Sequence, residues 1–265
     1  MKTVVAVVAF LLSLLLAPAA GAAEATVFLE DMTWTEVRDA IAAGRTTVIV
    51  PVGGTEQSGP HMALGKHNVR AHVLAGRIAT QLGNVLVAPV VAYVPEGDVA
   101  GASGHIRFAG TISVTPEAFK GVLEGAARSF RRAGFRDIVL IGDHGGYQSD
   151  LAAVAAKLNR EWAGTPARAH FIAEYYKAST EPFAAALRQH GLTEAQIGTH
   201  AGSADTSLML AVDPRLVRAD RLAQPPAAAD GTYGDPRPST AALGQAGVDL
   251  MVAASVNAIR RATVR

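Results

Sequence analysis

Residues 47–68 read T-V-I-V-P-V-G-G-T-E-Q-S-G-P-H-M-A-L-G-K-H-N, an apolar run followed by a loop rich in glycine and histidine. The apolar run at Val48–Val50 is short and bounded by a proline, which predicts a buried strand. The loop after it carries one carboxylate and two imidazoles, from Glu56, His61 and His67. Ligands of open α/β sheets bind beyond the carboxyl ends of the strands. We therefore expect a metal or catalytic cluster in this loop.

The rest of the chain alternates between short apolar runs and longer segments with helical periodicity. Further buried strands are predicted at residues 85–91, 138–141 and 169–173. Helices are predicted at residues 34–43, 69–82, 116–133, 182–190 and 241–260. Alternating strands and helices imply right-handed βαβ units. The sequence therefore predicts an α/β fold, with a mostly parallel sheet and helices on both of its faces.

The amino terminus has the composition of a signal peptide. Lys2 precedes an apolar segment at Val4–Leu16, and Ala20-Gly21-Ala22 fits a cleavage site with small residues. The apolar segment is shorter than the roughly 20 residues that span a bilayer. We predict a signal peptide at residues 1–22, a single α/β domain at residues 23–265, and a periplasmic or secreted mature protein. An uncleaved membrane anchor is the alternative.

Composition excludes several classes of protein. The chain has no cysteine, which excludes disulfides and thiolate metal sites. Its formal net charge is +1, without a run of lysine or arginine. This balance argues against nucleic acid or an anionic membrane as the main partner. We expect a small-molecule substrate, and no membrane contact after signal cleavage.

Residues 51–67 resemble the signature loop of the creatininase (creatinine amidohydrolase) family, which runs roughly P-x-G-S-x-E-Q-H-G-P-H-L-P-L-x-T-D. In that family the Glu, the first His and the final Asp bind a pair of divalent metals, and the Asp bridges them. The chain keeps the Glu as Glu56, but has Ser58 at the position of the first His and His67 at that of the Asp. A histidine bridges two metals only by losing its ring proton. Both differences favour one metal ion or none.

Three further segments are similar to motifs of the same family, in the same order. G-D-H-G-G-Y resembles N-G-H-G-G-N, whose His is a metal ligand and is His144 here. H-A-G-S-A-D-T-S resembles H-A-G-x-x-E-T-S. The resemblance implies that His200 is a proton shuttle and that Asp205 is a ligand or lies close to the ligands. G-T-Y-G-D-P-R at residues 231–237 resembles a late G-V-Y-G-D-P loop. The resemblance implies a three-layer α/β/α fold and a homo-oligomer, often a hexamer.

The predicted metal ligands are Glu56, His67 and His144, with Asp205 as a fourth candidate. Catalytic zinc commonly has three protein ligands and an open position for water. Imidazole and carboxylate suit zinc or manganese, and we expect one such ion per chain. Asp143 and Asp150 are candidates to replace a lost ligand.

The predicted function is metal-dependent hydrolysis of a non-peptide amide C–N bond, cyclic or linear. A divalent metal lowers the pKa of its bound water and polarises the carbonyl. Glu56 or Asp205 would orient or deprotonate the water, and His200 would donate a proton to the leaving nitrogen.

Other interpretations of these residues stay open. Glu56 could cap the next helix, His67 could be exposed, and Asp205 could be a helix N-cap. His61, and His105 in the long loop at residues 93–112, could each be structural or functional. At the level of function, the alternatives are a degenerate family member that binds a ligand or partner outside the cytoplasm, and a mononuclear enzyme that hydrolyses lactones or esters.

Overall fold

The computed structural model describes residues 26–101 and 103–264. The predicted signal peptide at residues 1–22 lies outside these ranges, as do the first residues of the predicted domain. Export and the domain boundary therefore stay predictions.

Four parallel strands form one sheet, in the order β2-β1-β3-β4. They are β1 (Thr47–Val52), β2 (Val85–Val87), β3 (Asp137–Gly142) and β4 (Arg168–Phe171). The α-helices are α1 (Trp34–Ala42), α2 (Lys66–Leu82), α3 (Pro116–Ala133), α4 (Gln148–Glu161), α5 (Glu174–Thr180), α6 (Pro182–Gln189), α7 (Glu194–Ile197), α8 (Ser203–Val212), α9 (Ala219–Leu222) and α10 (Ala241–Thr263). Short 3-10 helices lie at Leu29–Asp31, Gly104–Arg107, Gly145–Tyr147, Pro214–Leu216 and Ala228–Asp230.

The sheet is covered on both faces, which confirms the predicted three-layer α/β/α fold. Because side chains alternate along a strand, Ile49 and Val139 lie in one buried apolar cluster and Val48 and Ile138 in another. The first cluster includes side chains of α2, α5, α6, α8 and α10. The second includes side chains of α3 and α4, with α1 packed at its edge.

The closing helix α10 is long and apolar enough to cross a membrane by length and composition alone. Half of its most apolar window is buried, however, and Val248, Met251 and Ile259 lie in the first apolar cluster. This is the packing of a core helix, and it explains why the helix is apolar on more than one side.

Helix α2 begins three residues earlier than the sequence pattern predicts, at Lys66 rather than after Asn68. The Asn68 side chain does not cap the helix. Its oxygen accepts a hydrogen bond from the Gly54 backbone N–H at 2.9 Å, and its nitrogen donates to the Thr55 hydroxyl at 3.1 Å. Asn68 therefore fixes the glycine loop after β1, and the early start places Lys66 and His67 in the first helical turn.

The carboxyl ends of β1 and β3 lie side by side, with Val52 paired to Gly142. The buried Tyr147 hydroxyl connects these ends. It accepts from the backbone N–H groups of Asp143 and His144 at 3.1 and 3.0 Å, and it lies 2.9 and 2.6 Å from the carbonyl oxygens of Val52 and Gly53. The loops after the two strands are thus held together, and these loops carry the predicted site.

Two helical glycines test how closely the helices pack. A Cβ atom at Gly244 in α10 would lie 1.7 Å from the Ser207 carbonyl oxygen of α8, whereas one at Gly125 in α3 would have no heavy atom within 4 Å. We expect Gly244→Ala to lower the free energy of unfolding by about 1–3 kcal/mol through overpacking. The matched control Gly125→Ala should raise it by roughly 0.5–1 kcal/mol, because glycine is a poor helix former. Urea unfolding measures both, and equal effects would contradict the packing of α8 against α10.

Candidate metal centre

The side chains of the site come from five parts of the chain that meet at the carboxyl ends of β1 and β3. Each part contributes charged or imidazole groups: Glu56 from the loop after β1; Lys66, His67 and Arg70 from the start of α2; Glu96 and His105 from the long loop at residues 93–112; Asp143 and His144 from the end of β3; His200 and Asp205 from the segment entering α8. All the site residues predicted from the sequence are therefore in one cluster.

Glu56 lies at the centre of this cluster and is fully buried. Its Oε1 accepts a hydrogen bond from His67 Nε2 at 2.8 Å. Among the described residues its Oε2 has no hydrogen-bond partner, although His105 Nε2 and His144 Nε2 lie 3.4 and 3.7 Å away. Burial alone would raise the pKa of Glu56, but the hydrogen bond from His67 and the charge of Lys66 outweigh it and hold the pKa well below the usual range. Glu56 is thus an ionised carboxylate with one free oxygen, not a helix cap.

His67 is buried between two carboxylates. Its Nδ1 lies 2.5 Å from Asp143 Oδ1, and its Nε2 faces Glu56. Asp143 is held in turn by Arg70, at 2.7 Å, and by the Tyr175 hydroxyl, at 2.7 Å. Because an ionised carboxylate only accepts, Nδ1 donates to Asp143 and Nε2 donates to Glu56, and a bound cation would take the place of the Nε2 proton. A carboxylate behind a histidine in this way orients the ring and raises its basicity as a ligand.

In the part of the chain that the structure describes, two groups of side chains bring their ligand atoms within 4.8 Å of one another, and both include Glu56. One is Glu56, His67 and His144, which are three of the predicted ligands. The other is Glu56, His105 and His200. The chemistry of the first group fits a divalent cation. Glu56 Oε2 is buried without a partner, and the carboxylate behind His67 fixes that ring for coordination.

Gln57 sets the proton positions of His105 and His200. Gln57 Oε1 accepts from the Gly59 N–H at 2.9 Å, so its Nε2 is the atom that donates to His105 Nδ1 at 2.7 Å. The neutral His105 ring then carries its proton on Nε2, toward Glu56. His200 Nε2 lies 2.9 Å from the Gln57 carbonyl oxygen, which can only accept, so His200 carries its lone pair on Nδ1. His105 is thus suited to donating a proton and His200 to accepting one.

His144 lies between two carboxyl groups. Its Nε2 faces Glu56 Oε2, and its Nδ1 lies 3.5 Å from Glu96 Oε2 and accepts from the Gly146 N–H. The hydrogen bond from Gly146 places the proton of the neutral ring on Nε2, so coordination through Nε2 would require this proton to move to Nδ1, beside Glu96, and the Gly146 contact to be given up. Burial, together with the charge of Glu56, raises the pKa of Glu96 to about 9. Burial lowers the pKa of His144 to about 3, so the ring is neutral at pH 7, as a ligand must be.

Asp205 belongs to neither of the two groups. Its Oδ2 pairs with the Lys66 ammonium and its Oδ1 with Arg70 at 2.8 Å. Burial alone would raise its pKa, but Lys66 and Arg70 outweigh burial and hold the pKa well below the usual range. Asp205 also does not cap α8, which begins at Ser203 after Gly202. The structure therefore places this predicted ligand in ion pairs with two cations.

Of the other residues considered in the sequence analysis, His61 and Asp150 are outside the cluster, and Ser58 offers only a weak ligand. His61 is buried, with Nε2 3.0 Å from the Thr206 hydroxyl, which is a structural contact. Asp150, on α4, is paired with Lys120 of α3 at 3.7 Å. Ser58 is fully buried, and its hydroxyl has no hydrogen-bond partner in the described part of the chain.

Sequence reasoning missed Lys66, Arg70 and Glu96. Lys66 could have been found, because it stands where the creatininase signature quoted above has a threonine. Arg70 lies one helical turn after Lys66, and its spacing of four residues places both on one face of α2. Glu96 had no signal beyond its place in a long loop.

A cavity of about 400 Å³ leads to the cluster. Its lining includes His144, His200 and Asp205 from the site, and Tyr176 and Arg188 from the helices around its mouth. This volume is at the small end of the range for small-molecule sites.

A buried carboxylate–histidine cluster beyond the strands of a parallel α/β sheet can hold a divalent metal ion that activates water for hydrolysis. Residues 30–259 match the family model described as Creatininase: creatinine amidohydrolase. The chain therefore belongs to the creatininase family.

Named relatives agree with this assignment. The chain is 29% identical to creatinine amidohydrolase of Pseudomonas putida over 215 residues, covering 78% of this chain and 80% of that protein. It is 33% identical to the mycofactocin precursor peptide peptidase of Mycolicibacterium smegmatis over 184 residues, covering 66% of this chain and 61% of that protein. These similarities support a metal-dependent amidohydrolase in general terms.

Solved structures agree as well. A structure described as creatininase with Mn is 26% identical and has a TM-score of 0.74, and a mutant creatininase of Zn–Zn type is 26% identical and has a TM-score of 0.75. Both comparisons cover 91% of this chain and 100% of the other chain. The metals of these two proteins are the two that the sequence predicts.

The role of Asp143 behind His67 can be tested by metal binding. We expect Asp143→Asn to weaken the affinity for zinc or manganese by about 10–100-fold, because the amide no longer holds the His67 ring as a carboxylate does. Isothermal titration calorimetry on the chelator-treated protein measures this change. The control Asp39→Asn, at an exposed aspartate paired with Arg38, should leave the affinity unchanged. Equal affinities for all three proteins would contradict the role of Asp143.

Proposed function

We propose that the chain is an exported, metal-dependent hydrolase that acts on a non-peptide amide C–N bond and uses one zinc or manganese ion. The observation that carries this proposal is the group of Glu56, His67 and His144, in which one buried oxygen of Glu56 meets His67 and the other, without a hydrogen-bond partner among the described residues, faces His144. Export rests on the composition of residues 1–22.

Glu56, His67 and His144 would hold the metal, which supplies an activated water and polarises the substrate carbonyl when bound. Asp143 fixes His67 in the orientation for this role, and Glu96 stands behind His144. The Tyr147 hydroxyl fixes the backbone of Asp143 and His144 against β1. The three ligands are therefore held by a rigid frame.

On the other side of Glu56, His200 would accept a proton and His105 would donate a hydrogen bond. Burial, together with Lys66, lowers the pKa of His200 to about 4, so its ring is neutral at pH 7. Its Nδ1 lone pair can accept a proton from the attacking water and deliver it to the leaving nitrogen, which is the shuttle that the family resemblance implies. His105 directs Nε2–H toward Glu56, where it can stabilise negative charge that develops beside it.

The choice of a non-peptide amide rests on the size of the cavity and on the relative that is named for creatinine. The relative named as a peptide peptidase makes a peptide substrate the main rival within the same chemistry. We also propose a homo-oligomer, since the family resemblance implies one, and size-exclusion chromatography with light scattering tests it.

A second candidate function is a binding protein without catalysis. The observation that favours it is the pairing of Asp205 with Lys66 and Arg70, because this carboxylate is then unavailable as a ligand. Metal content decides between the two candidates.

The first experiment is elemental analysis of the mature chain, purified without a chelating tag. We expect about one zinc or manganese per chain, from the ligand count of Glu56, His67 and His144. His144→Ala should abolish the bound metal, whereas His190→Ala, at an exposed histidine after α6, should retain it. A chain that stays metal-free after soaking in both metals would refute the hydrolase mechanism and favour the binding protein.

The shuttle role of His200 predicts a loss of rate without a loss of metal. Once a substrate is found in an amide and lactone screen, His200→Asn should lower kcat by about 10²–10⁴-fold, as expected for a missing proton carrier. Metal content should stay at the native value. Loss of the metal on this substitution would instead make His200 a ligand, in the group with Glu56 and His105.

A further inference from the structure

We infer that the Lys66 ammonium takes the place of a second metal ion and limits the site to one divalent cation. This inference rests on the proposed function, because it assumes that Glu56, His67 and His144 hold a metal. It concerns a residue that no family motif assigns to the metal centre.

The Lys66 side chain is fully buried, and its charge is directed into the cluster. Its Nζ pairs with Asp205 Oδ2 and lies 3.8 Å from Glu56 Oε1. Glu56 and Asp205 are the two carboxylates that the sequence predicts as metal ligands. An ammonium group between them satisfies the same negative charge that a cation would.

Arg70 completes the replacement. It donates to Asp205 Oδ1 at 2.8 Å, so both oxygens of Asp205 are engaged by fixed cations. The same guanidinium pairs with Asp143. Lys66 and Arg70 therefore place two positively charged groups beside Asp205, and each oxygen of that carboxylate is paired with one of them.

The side chain at position 58 agrees with the loss of a second metal. Ser58 stands where the creatininase signature has a histidine ligand, and its buried hydroxyl has no partner among the described residues. A serine hydroxyl is a weak ligand for zinc or manganese compared with imidazole. The ligands for a second ion are thus either replaced, as at Ser58, or occupied, as at Asp205.

The charge balance leads to the same conclusion. The three carboxylates Glu56, Asp143 and Asp205 are each paired with a cationic or imidazole group of the cluster. Lys66 and Arg70 supply two positive charges against these three carboxylates. One divalent cation brings the cluster close to neutrality once its water is deprotonated, whereas a second would face the ammonium at short range without a carboxylate to offset it.

Metal stoichiometry tests the inference without any substrate. The native chain, the double variant Ser58→His/His67→Asp and the triple variant that adds Lys66→Thr are stripped of metal, titrated with manganese and zinc by calorimetry, and analysed for bound metal. We expect one ion in the native chain, no more than one in the double variant, and two in the triple variant. The added Lys66→Thr puts the signature threonine back at this position.

Control variants separate charge from folding. Lys66→Arg in place of Lys66→Thr keeps the charge, and this triple variant should still bind no more than one ion. Lys157→Thr, at a largely exposed lysine on α4, should not change the stoichiometry of the double variant. Circular dichroism checks that each variant folds, and a rise in melting temperature with added metal serves as an independent readout if the metal-free triple variant is unstable.

The outcomes distinguish this inference from the proposed function. Two ions in the native chain, or one in a folded Lys66→Thr triple variant, would overturn the role of Lys66 and leave the hydrolase proposal standing. No metal in the native chain would refute the hydrolase proposal. If the triple variant then bound metal while the Lys66→Arg triple variant did not, Lys66 would still be the group that excludes the ion.

Discussion

The burial of the Glu56 carboxylate is the constraint on which the site depends. A buried charge is costly unless it is paired and hydrogen-bonded, and this one lies at the end of a central strand with no exposed surface. Its compensation comes from the first turn of α2, where His67 donates to Oε1 and Lys66 lies 3.8 Å from it. The early start of α2 follows from this pairing, because a helix that began after Asn68 would leave both residues outside the helix that positions them.

Positive charge at the start of α2 also runs against the helix dipole, which favours anions at an amino terminus by about 0.3–1 kcal/mol for each charge. Lys66 and Arg70 are tolerated there because Asp143 and Asp205 approach from β3 and α8. The start of α2 therefore departs from the preference of the helix dipole, and β3 and α8, which are distant in sequence, supply the negative charges that compensate for it. Such departures from local preference are expected at functional sites rather than in the scaffold.

The scaffold was predictable because it depends on patterns within single segments. The apolar runs predicted β1 and β3, and the helix predicted at residues 116–133 is α3, which begins at Pro116 after the Thr115 cap. The predicted strand at residues 85–91 proved too long, since β2 ends at Val87 and only an isolated bridge at Val91 continues the pairing. Pro89, which has no N–H to donate, lies between them.

The cluster was predictable as a set of residues but not as a set of contacts. The family motifs predict that five side chains share one site, and the structure places them in one cluster. These are Glu56, His67, His144, His200 and Asp205. Which carboxylate meets an imidazole and which meets an ammonium depends on tertiary packing, and no spacing within a motif carries that information. The pairing of Asp205 with Lys66 and the place of Glu96 behind His144 are therefore visible only in three dimensions.

Three residues of the signature loop, Ser58, Lys66 and His67, differ from the family signature in ways that charge and ligand chemistry explain together. The change from the signature aspartate to His67 removes a negative charge, and Lys66 adds a positive one, so the two together make up for the charge that one divalent cation would bring. Ser58, at the position of the signature histidine, offers only a weak ligand, and its buried hydroxyl has no hydrogen-bond partner among the described residues. Random decay of a metal site would leave Asp205 as a buried charge without a partner, which is strongly destabilising. Here each remaining carboxylate has a cation or imidazole in reach, which agrees with the proposal of a site for one ion.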